Sequence, residues 1–327
     1  MAYIAGIIDG DGSISLCKKQ DIGAKSPSYF PMIQFSKAGE SMPLLLQKEF
    51  GGSILRRDLP SGLPFCRWKL EKAPLCRPFL EAISPFLQHK KEQADKILTF
   101  IEENPFVRGK RLTYEELMVR EKDYIEIKTI NSFRERLANF KPFKSEVKKE
   151  FIWPYLAGLL DTDGSFSIKK EERNGSFRYS ATILISLLKS NGLSFIKKYC
   201  PYGSLFVIKS KVVKQGFYYR FGLYKRSEFS EVLKEVLPYL VHKNKAANIL
   251  LHFCENYVSY DKSEEQIGFR EKSYQELCEF NKYGVYKSSL IDLEPLPDSA
   301  GGDKAQATKV GSVNEASGKT SQEDAVL

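Results

Sequence analysis

The chain has 327 residues, a length that favours two domains or one duplicated unit, and its 42% hydrophobic content is enough to build cores. It has 50 Lys and Arg against 41 Asp and Glu, and because residues 291–327 carry −4, residues 1–290 carry +13, which suits a polyanion such as nucleic acid. The six cysteines follow no CxxC spacing, which argues against a zinc site, and no apolar run approaches the ~18–20 residues that a membrane span requires.

The predicted elements follow the same order in two halves of the chain. In the first half we predict helices at 3–10 and 40–50, strands at 13–19 and 29–36, a hairpin at 53–71, two further helices of which the second is 89–103, and a helical extension at 108–126. In the second half the counterparts are helices at 153–162 and 190–199, strands at 165–171 and 177–186, a hairpin at 204–224, a closing helix at 242–257 and a helical extension at 264–283. The dipeptide Asn174-Gly175 is of the kind that closes a tight hairpin.

An internal duplication explains this repeated order. Residues 3–15 (YIAGIIDGDGSIS) and 155–167 (YLAGLLDTDGSFS) are identical at eight of thirteen positions, and 85–104 is similar to 238–256. Two copies of one unit are therefore present. The boundaries that we predict are an N-terminal unit at 1–126, a lysine-rich linker at 127–150, a C-terminal unit at 151–285 and a disordered tail at 286–327.

Each repeated segment ends in an acidic motif, with Asp11 in the first half and Asp163 in the second. Small residues along one side of both helices let their backbones approach, so we expect the helices to pack side by side. Each helix is expected to stop at the next residue, Gly12 or Gly164, in the left-handed cap conformation. The two carboxylates then lie close together, and a divalent cation relieves their repulsion. A single motif of this kind more often only caps a helix, whereas two copies in a basic chain favour a site.

These two segments resemble the LAGLIDADG motif, and their spacing is similar to that of the single-chain, two-motif members of this homing endonuclease family, over residues 1–285. The resemblance implies an α+β fold in which two pseudo-twofold αββαββα units form a saddle and place curved antiparallel sheets in the DNA major groove. It implies a monomer that cuts both strands of double-stranded DNA, is intron-encoded and leaves 3′ overhangs. It also implies Mg²⁺ (two or three ions), with Mn²⁺ as a substitute and Ca²⁺ binding without cleavage.

The resemblance also carries a set of metal ligands over to this chain. By position they are Asp11 and Asp163, assisted by the carbonyls of Gly10 and Thr162. The other acid of each motif, Asp9 or Asp161, is predicted to be structural, so we assign no catalytic role to it.

Two lysines are the next catalytic candidates. Lys90 and Lys243 coincide in the second pair of similar segments, and each follows a histidine, His89 or His242, at the start of a long helix. The resemblance implies that a basic residue here points at the catalytic centre, where it polarises the attacking water or stabilises the charge of the reacting phosphate. Solvent-exposed helix lysines are the simpler alternative. For the two histidines we favour packing roles.

A third polar position is implied at the end of the second strand. In the first half Lys37 falls there, with Gln34 as the alternative register, whereas the second half offers only Leu187 or Leu184. The two catalytic sites are therefore predicted to be chemically unequal, which would give different cutting rates on the two strands.

A sheet that binds in the major groove presents long or polar side chains on one face and apolar side chains to its helices. In the first half this alternation predicts DNA contacts from Ser13, Ser15, Cys17, Lys19, Gln34, Arg57, Arg67 and Lys69. In the second half it predicts them from Ser165, Ser167, Lys169, Glu171, Arg178, Lys209, Lys211, Tyr218 and Arg220. Because the two sets differ at nearly every position, we expect a long, non-palindromic target.

Two alternative functions use the same fold. The first is an RNA maturase that binds its own intron RNA, alone or together with nuclease activity. The second is a DNA-binding protein that has lost cleavage, against which the presence of both Asp11 and Asp163 argues. No secretory or transit signal is visible, so we expect a protein that is not secreted, located in a chloroplast or mitochondrion if encoded there and otherwise in the cytoplasm.

Overall fold

The computed structural model describes residues 1–20, 22, 26–59, 64–105, 112–132, 148–173, 175–188, 191–209 and 217–284. The first half contains α1 Ala2–Asp11, β1 Gly12–Lys19, β2 Ser28–Ala38, α2 Ser41–Phe50, β3 Ser53–Asp58, β4 Pro64–Glu71, α3 Ala73–Ile83, α4 Lys91–Glu103 and α5 Tyr114–Asn131. The second contains α6 Ile152–Asp163, β5 Gly164–Arg173, β6 Ser176–Leu187, α7 Asn191–Tyr199, β7 Ser204–Lys209, β8 Phe217–Leu223, α8 Arg226–Val236, α9 Asn244–Asn256 and α10 Glu264–Glu279. Both halves lie within one compact unit, Met1–Ile291.

Each half forms a four-stranded antiparallel sheet, with strand orders β1-β2-β4-β3 and β5-β6-β8-β7. The registers are also equivalent, because Gly12 pairs with Phe35 in the first sheet and Gly164 pairs with Ile185 in the second. The α+β prediction is therefore confirmed, and the duplication seen in the sequence extends to strand order and register.

The alternation along the strands separates a buried face from an outer face in each sheet. On β1, Ile14 and Leu16 are buried, whereas Ser13 and Ser15 are partly exposed. The outer face of a sheet is defined here as the face that contains Ser13 or its counterpart Ser165. Strand pairing places all eight predicted first-half contacts on it.

In the second half the strand register corrects one predicted contact. Arg220 and Tyr218 lie on the outer face. Lys209, however, pairs with Phe217, the residue next to Tyr218 on β8. The side chain of Lys209 therefore points to the opposite face, because successive residues of a strand alternate between faces. Lys211 lies outside the described residues. The other predicted contacts of this half, on β5 and β6, lie on the outer face.

The motif helices α1 and α6 pack against each other through glycine. A Cβ on Gly6 would stand 2.3 Å from the carbonyl oxygen of Tyr155, and a Cβ on Gly158 would stand 2.2 Å from that of Tyr3. The close approach predicted from the small residues is confirmed. It brings the C-terminal ends of the two helices, and hence their aspartates, together.

We expect Gly158→Ala to lower the free energy of unfolding by roughly 1–3 kcal/mol, because the added methyl forces two backbones apart. Thermal unfolding of the full chain measures the effect. Gly268→Ala on α10 is the matched control, because nothing lies within 4 Å of a Cβ there. That control should stabilise the helix by about 0.5–1 kcal/mol. Equal melting temperatures for the two variants would contradict the close packing of α1 and α6.

The expected left-handed caps at the ends of these helices are wrong. Gly12 has φ −79° and Gly164 has φ −73°, both in the extended region that any residue adopts. The glycines are required for space instead, since a Cβ would meet the backbone of Ile8 at 2.7 Å or the carbonyl oxygen of Leu160 at 2.4 Å. Each motif helix thus continues directly into the first strand of its sheet.

The helical extensions α5 and α10 are fixed to the sheets by matching contacts. Glu121 accepts hydrogen bonds from Lys18 and Tyr29, and Glu271 accepts them from Lys170 and Tyr179. Helix α5 ends at Asn131, five residues beyond the predicted end of the N-terminal unit at 126. Residues 133–147 of that linker, and the predicted tail, lie outside the described residues. No described helix is both long and apolar enough to cross a membrane.

Candidate active site

The first acid of each motif is buried and acts across the two halves. Asp9 accepts a hydrogen bond from the hydroxyl of Tyr155 at 2.9 Å, and Asp161 accepts one from that of Tyr3 at 2.7 Å. Each carboxylate also accepts three main-chain N–H bonds at the start of α4 or α9. The donors are the amides of Gln88, His89 and Lys90 for Asp9, and those of Val241, His242 and Lys243 for Asp161. These contacts agree with the predicted structural role.

The second acid of each motif lies at the junction of the two halves. Asp163 Oδ2 is 2.9 Å from the position that a Cβ on Gly10 would occupy, which places this carboxylate against the residue before Asp11. Burial raises the pKa of Asp163, and the negative charge of Asp11 raises it further, as expected when a second carboxylate lies nearby. The structure therefore brings Asp11 and Asp163 together.

Lys37 joins the two motif ends. Its Nζ donates to Asp11 Oδ2 at 2.8 Å and to the Thr162 carbonyl oxygen at 3.2 Å. This contact favours the Lys37 register over the Gln34 register, because it is the side chain of Lys37 that reaches Asp11. The sequence alone left both registers open.

Lys90 and Lys243 close the C-terminal ends of the motif helices. Lys90 Nζ donates to the carbonyl oxygens of Ile8, Asp9 and Gly10 at 2.6, 2.7 and 3.0 Å. Lys243 Nζ donates to those of Leu160, Thr162 and Gly164 at 2.8, 3.0 and 2.7 Å. The last carbonyls of a helix have no partner within it, and a cation there also complements the helix dipole. These lysines are therefore not solvent-exposed helix residues, the simpler alternative considered above.

Burial governs the electrostatics of the site. It raises the pKa of Asp163 to about 6, with a further contribution from Asp11, and the nearby lysines only partly offset this. Burial, with a smaller contribution from the charge of Lys37, lowers the pKa of Lys243 to about 8. An acid and a base that interact electrostatically and whose pKa values both move toward neutrality are typical of a functional site.

The oxygen atoms at this junction fit a hard divalent cation. Mg²⁺ prefers one or two carboxylates together with water and phosphate oxygens, and Asp11 and Asp163 supply two carboxylates whose mutual repulsion a cation relieves. The carbonyls of Gly10 and Thr162 are adjacent, although here they accept hydrogen bonds from lysine. Within the described part of the chain no three His, Cys, Asp or Glu side chains form a ready-made metal site. A cation here would therefore complete its coordination with water or substrate oxygens.

The two sides of the site are unequal. Lys37 lies two residues after Phe35, the partner of Gly12, and Leu187 lies two residues after Ile185, the partner of Gly164. Leu187 is thus the counterpart of Lys37. It lines an open cleft of about 570 Å³ beside Asp163, together with Lys90 and Ser186. The two halves therefore carry different residue types, lysine and leucine, at this equivalent position.

A second inequality lies where the motif helices meet. A Cβ on Gly10 would stand 2.1 Å from Thr162 Oγ1, so the threonine side chain fills the space that glycine leaves. Thr162 Oγ1 donates back to the carbonyls of its own helix, Gly158 and Leu159, at 3.0 and 3.1 Å. The two halves therefore have complementary shapes at this point.

Several residues that were not predicted from the sequence hold the site together. Tyr3 and Tyr155 each donate a hydrogen bond to a buried aspartate of the other half, and their identity in the repeat was a signal. His89 accepts from the Gly192 amide at 3.1 Å, and His242 Nδ1 lies 3.3 Å from the Ser41 hydroxyl, so each histidine contacts a helix of the other half. The predicted packing role of the histidines agrees with these positions.

Comparisons with known proteins identify the fold. No protein-family model matches the sequence, and no curated protein matches it. Solved structures do: the I-SmaMI LAGLIDADG homing endonuclease bound to cleaved DNA is 14% identical, with 84% of this chain and 95% of that chain covered and a TM-score of 0.61. I-SmaMI bound to an uncleaved DNA target in the presence of calcium ions is 14% identical, with 85% of this chain and 98% of that chain covered and a TM-score of 0.62. The I-LtrWI LAGLIDADG homing endonuclease bound to target DNA is 13% identical, with 89% of this chain and 98% of that chain covered and a TM-score of 0.59.

At this level of identity the likeness establishes the fold, and it extends over both halves. The motifs, the strand orders and the paired aspartates agree with it. The chain therefore adopts the two-motif fold of single-chain LAGLIDADG homing endonucleases.

Proposed function

We propose that this protein is a sequence-specific DNA endonuclease that hydrolyses both strands of a long double-stranded target. The observation that carries the proposal is the convergence of Asp11 and Asp163 with three lysines at the junction of two halves. Residues 1–290 carry +13, which favours binding of a polyanion. Neighbours of the same fold were solved on DNA.

The side chains of the site divide the work. Asp11 and Asp163 would hold Mg²⁺, which when bound activates water and stabilises the leaving oxygen in phosphodiester hydrolysis. Lys37 fixes the carboxylate of Asp11. Lys90 and Lys243 hold the main chain on either side of the acids and place positive charge where phosphate oxygens approach.

Several finer properties belong to the same proposal. Mg²⁺ supports cutting, Mn²⁺ substitutes, and Ca²⁺ supports binding without cutting; the I-SmaMI structure on uncleaved DNA with calcium ions supports the last point. The protein acts as a monomer, because one chain contributes both acids. We further propose that it is intron-encoded, acts in the organelle that encodes it and leaves 3′ overhangs.

The test begins with a randomised duplex library from which sites are selected by retention on the full chain in Ca²⁺. The consensus is then cloned into a supercoiled plasmid. We expect linear product with Mg²⁺ and retarded, uncut DNA with Ca²⁺. Binding without cutting in Mg²⁺ and Mn²⁺ would show a DNA-binding protein that has lost cleavage. Preference for structured intron RNA over every duplex would favour the maturase alternative.

The inequality of Lys37 and Leu187 predicts unequal strand cutting. We expect the parent protein to accumulate nicked plasmid. Leu187→Lys should reduce that accumulation by roughly tenfold, because the new ammonium group would contact Asp163 as Lys37 contacts Asp11. Time courses of supercoiled, nicked and linear DNA measure this. Lys37→Leu is the matched variant and should slow the faster strand. An unchanged nicked fraction in both variants would refute the role of this position.

A further inference from the structure

The outer faces of the two sheets have diverged, but a few positions are identical. Equivalent registers relate Gln34 to Leu184 and Lys69 to Gly222, which are typical of the differences. The identical pairs are Ser13 and Ser165, Ser15 and Ser167, Ser36 and Ser186, Ser53 and Ser204, and Arg67 and Arg220. Among the described outer positions, arginine is the one long side chain that repeats.

Both arginines are held in the same way. Arg67 pairs with Ser36 across β4 and β2, and its Nε donates to the serine Oγ at 3.3 Å. Arg220 pairs with Ser186 across β8 and β6, and its Nε donates at 3.2 Å. A guanidinium anchored through Nε presents its two terminal nitrogens as a fork. In the second half Tyr218 also accepts from one of them, at 3.1 Å.

The location of the pairs indicates what they contact. Ser36 precedes Lys37 on β2 and Ser186 precedes Leu187 on β6, so the two arginines occupy equivalent places on the outer faces of their sheets, one strand position before the residues that differ between the two sides of the site. Strands β4 and β8 are interior strands of their sheets, and both arginines are only partly exposed. An interior, anchored fork is suited to a base edge in the major groove, whereas phosphates are contacted by long side chains at the rim of an interface. Arginine recognises guanine through O6 and N7.

We infer that Arg67 and Arg220 each read a guanine, so that an otherwise asymmetric target contains one matched guanine on each strand, equally far from its centre. The same side chain with the same anchor, at positions related by the pseudo-twofold axis, reads the same base from both directions. This inference rests on the proposed function, since it requires the outer faces to lie in the major groove.

The selected sites from the randomised duplex library test the inference directly. We expect guanine at one dyad-related pair of positions and unrelated bases elsewhere. Arg67→Ala should relax the preference on one side only, and Arg220→Ala on the other, each with a roughly 5- to 150-fold loss of discrimination. Ser36→Ala and Ser186→Ala should weaken it less, since they only position the fork. Lys69→Ala is the control, because its counterpart is Gly222. Any base preference that this variant relaxes should have no equivalent at the dyad-related position in the other half of the target.

The outcomes separate this inference from the function on which it rests. If no sequence is enriched, the proposed function fails and the inference fails with it. If a site is enriched without matched guanines, only the inference fails. Uniform weakening by Arg67→Ala across all sequences, with a salt slope lower by about one, would identify phosphate contacts instead and would also overturn it.

Discussion

Asp163→Asn is expected to abolish double-strand cleavage, with a loss of roughly a hundredfold or more, and at pH 8 to raise the melting temperature of the metal-free protein. Cleavage is lost because the amide removes one of the two carboxylates that would share the cation. Binding to the selected site in Ca²⁺ should persist, since the contacts predicted on the outer faces do not involve this side chain.

The gain in stability follows from the direction of the pKa shift. Burial and the charge of Asp11 raise the pKa of Asp163 from 3.8 to about 6 in the folded protein. The folded state therefore holds this proton more tightly than the unfolded state, and stability falls as the pH rises between these two values. Above pH ~6 the full cost is present, roughly 2–3 kcal/mol. Asparagine removes the cost because it carries no charge at any pH.

Thermal unfolding in EDTA between pH 4 and 8 measures this effect. The advantage of Asp163→Asn should be small at pH 4 and constant above pH ~6. Asp58→Asn, which changes an exposed carboxylate at the end of β3, is the matched control and should leave the melting temperature unchanged. A lower melting temperature for Asp163→Asn at pH 8 would mean that the lysines outweigh burial and Asp11.

Asp161→Asn, only two residues away, is expected to have the opposite effect and to lower the free energy of unfolding by roughly 3 kcal/mol. Both oxygens of Asp161 accept hydrogen bonds, from the Tyr3 hydroxyl and from three main-chain amides that include Lys243. Burial raises the pKa of Asp161 as well, so the loss of its charge recovers part of that cost, but an amide places its NH₂ group against one of these donors in either orientation. A buried donor then loses its partner at the start of α9 and between the halves.

Denaturant unfolding of the full chain measures the difference, with Asp163→Asn as the matched charge-removing variant. Tyr3→Phe supplies a second control, because it removes one donor and leaves the three amides satisfied, so its effect should be smaller, about 1 kcal/mol. If Asp161→Asn were as stable as the parent protein, the assignment of this acid to structure would be wrong.

The features that the sequence predicted are those that depend on local pattern. The apolar runs before Asp11 and Asp163 predicted the motif helices, and alternation from Ser13 onward predicted the faces of β1 correctly. Duplication strengthened both inferences, because one error would have had to occur twice.

The features that it did not predict depend on contacts between distant residues. The preference of glycine for left-handed caps suggested a role for Gly12 that close packing against Ile8 overrides. The sequence could not predict which face of the sheet Lys209 occupies. On β7 that face depends on the register of the strand, which is defined only by its pairing with β8. The bond between Tyr3 and Asp161 spans 158 residues and has no local signature.

The glycine and threonine that face each other between the motif helices make the association of the halves heterotypic. Thr162 Oγ1 occupies the volume next to Gly10. If two copies of the second half paired, their two threonine side chains would clash, and if two copies of the first half paired, a void would remain between the two glycines. Each half has thus become a poor partner for itself. A fusion of two identical C-terminal units would require replacement of Thr162 before its helices could associate, so divergence at one position opposes the pairing of two identical halves.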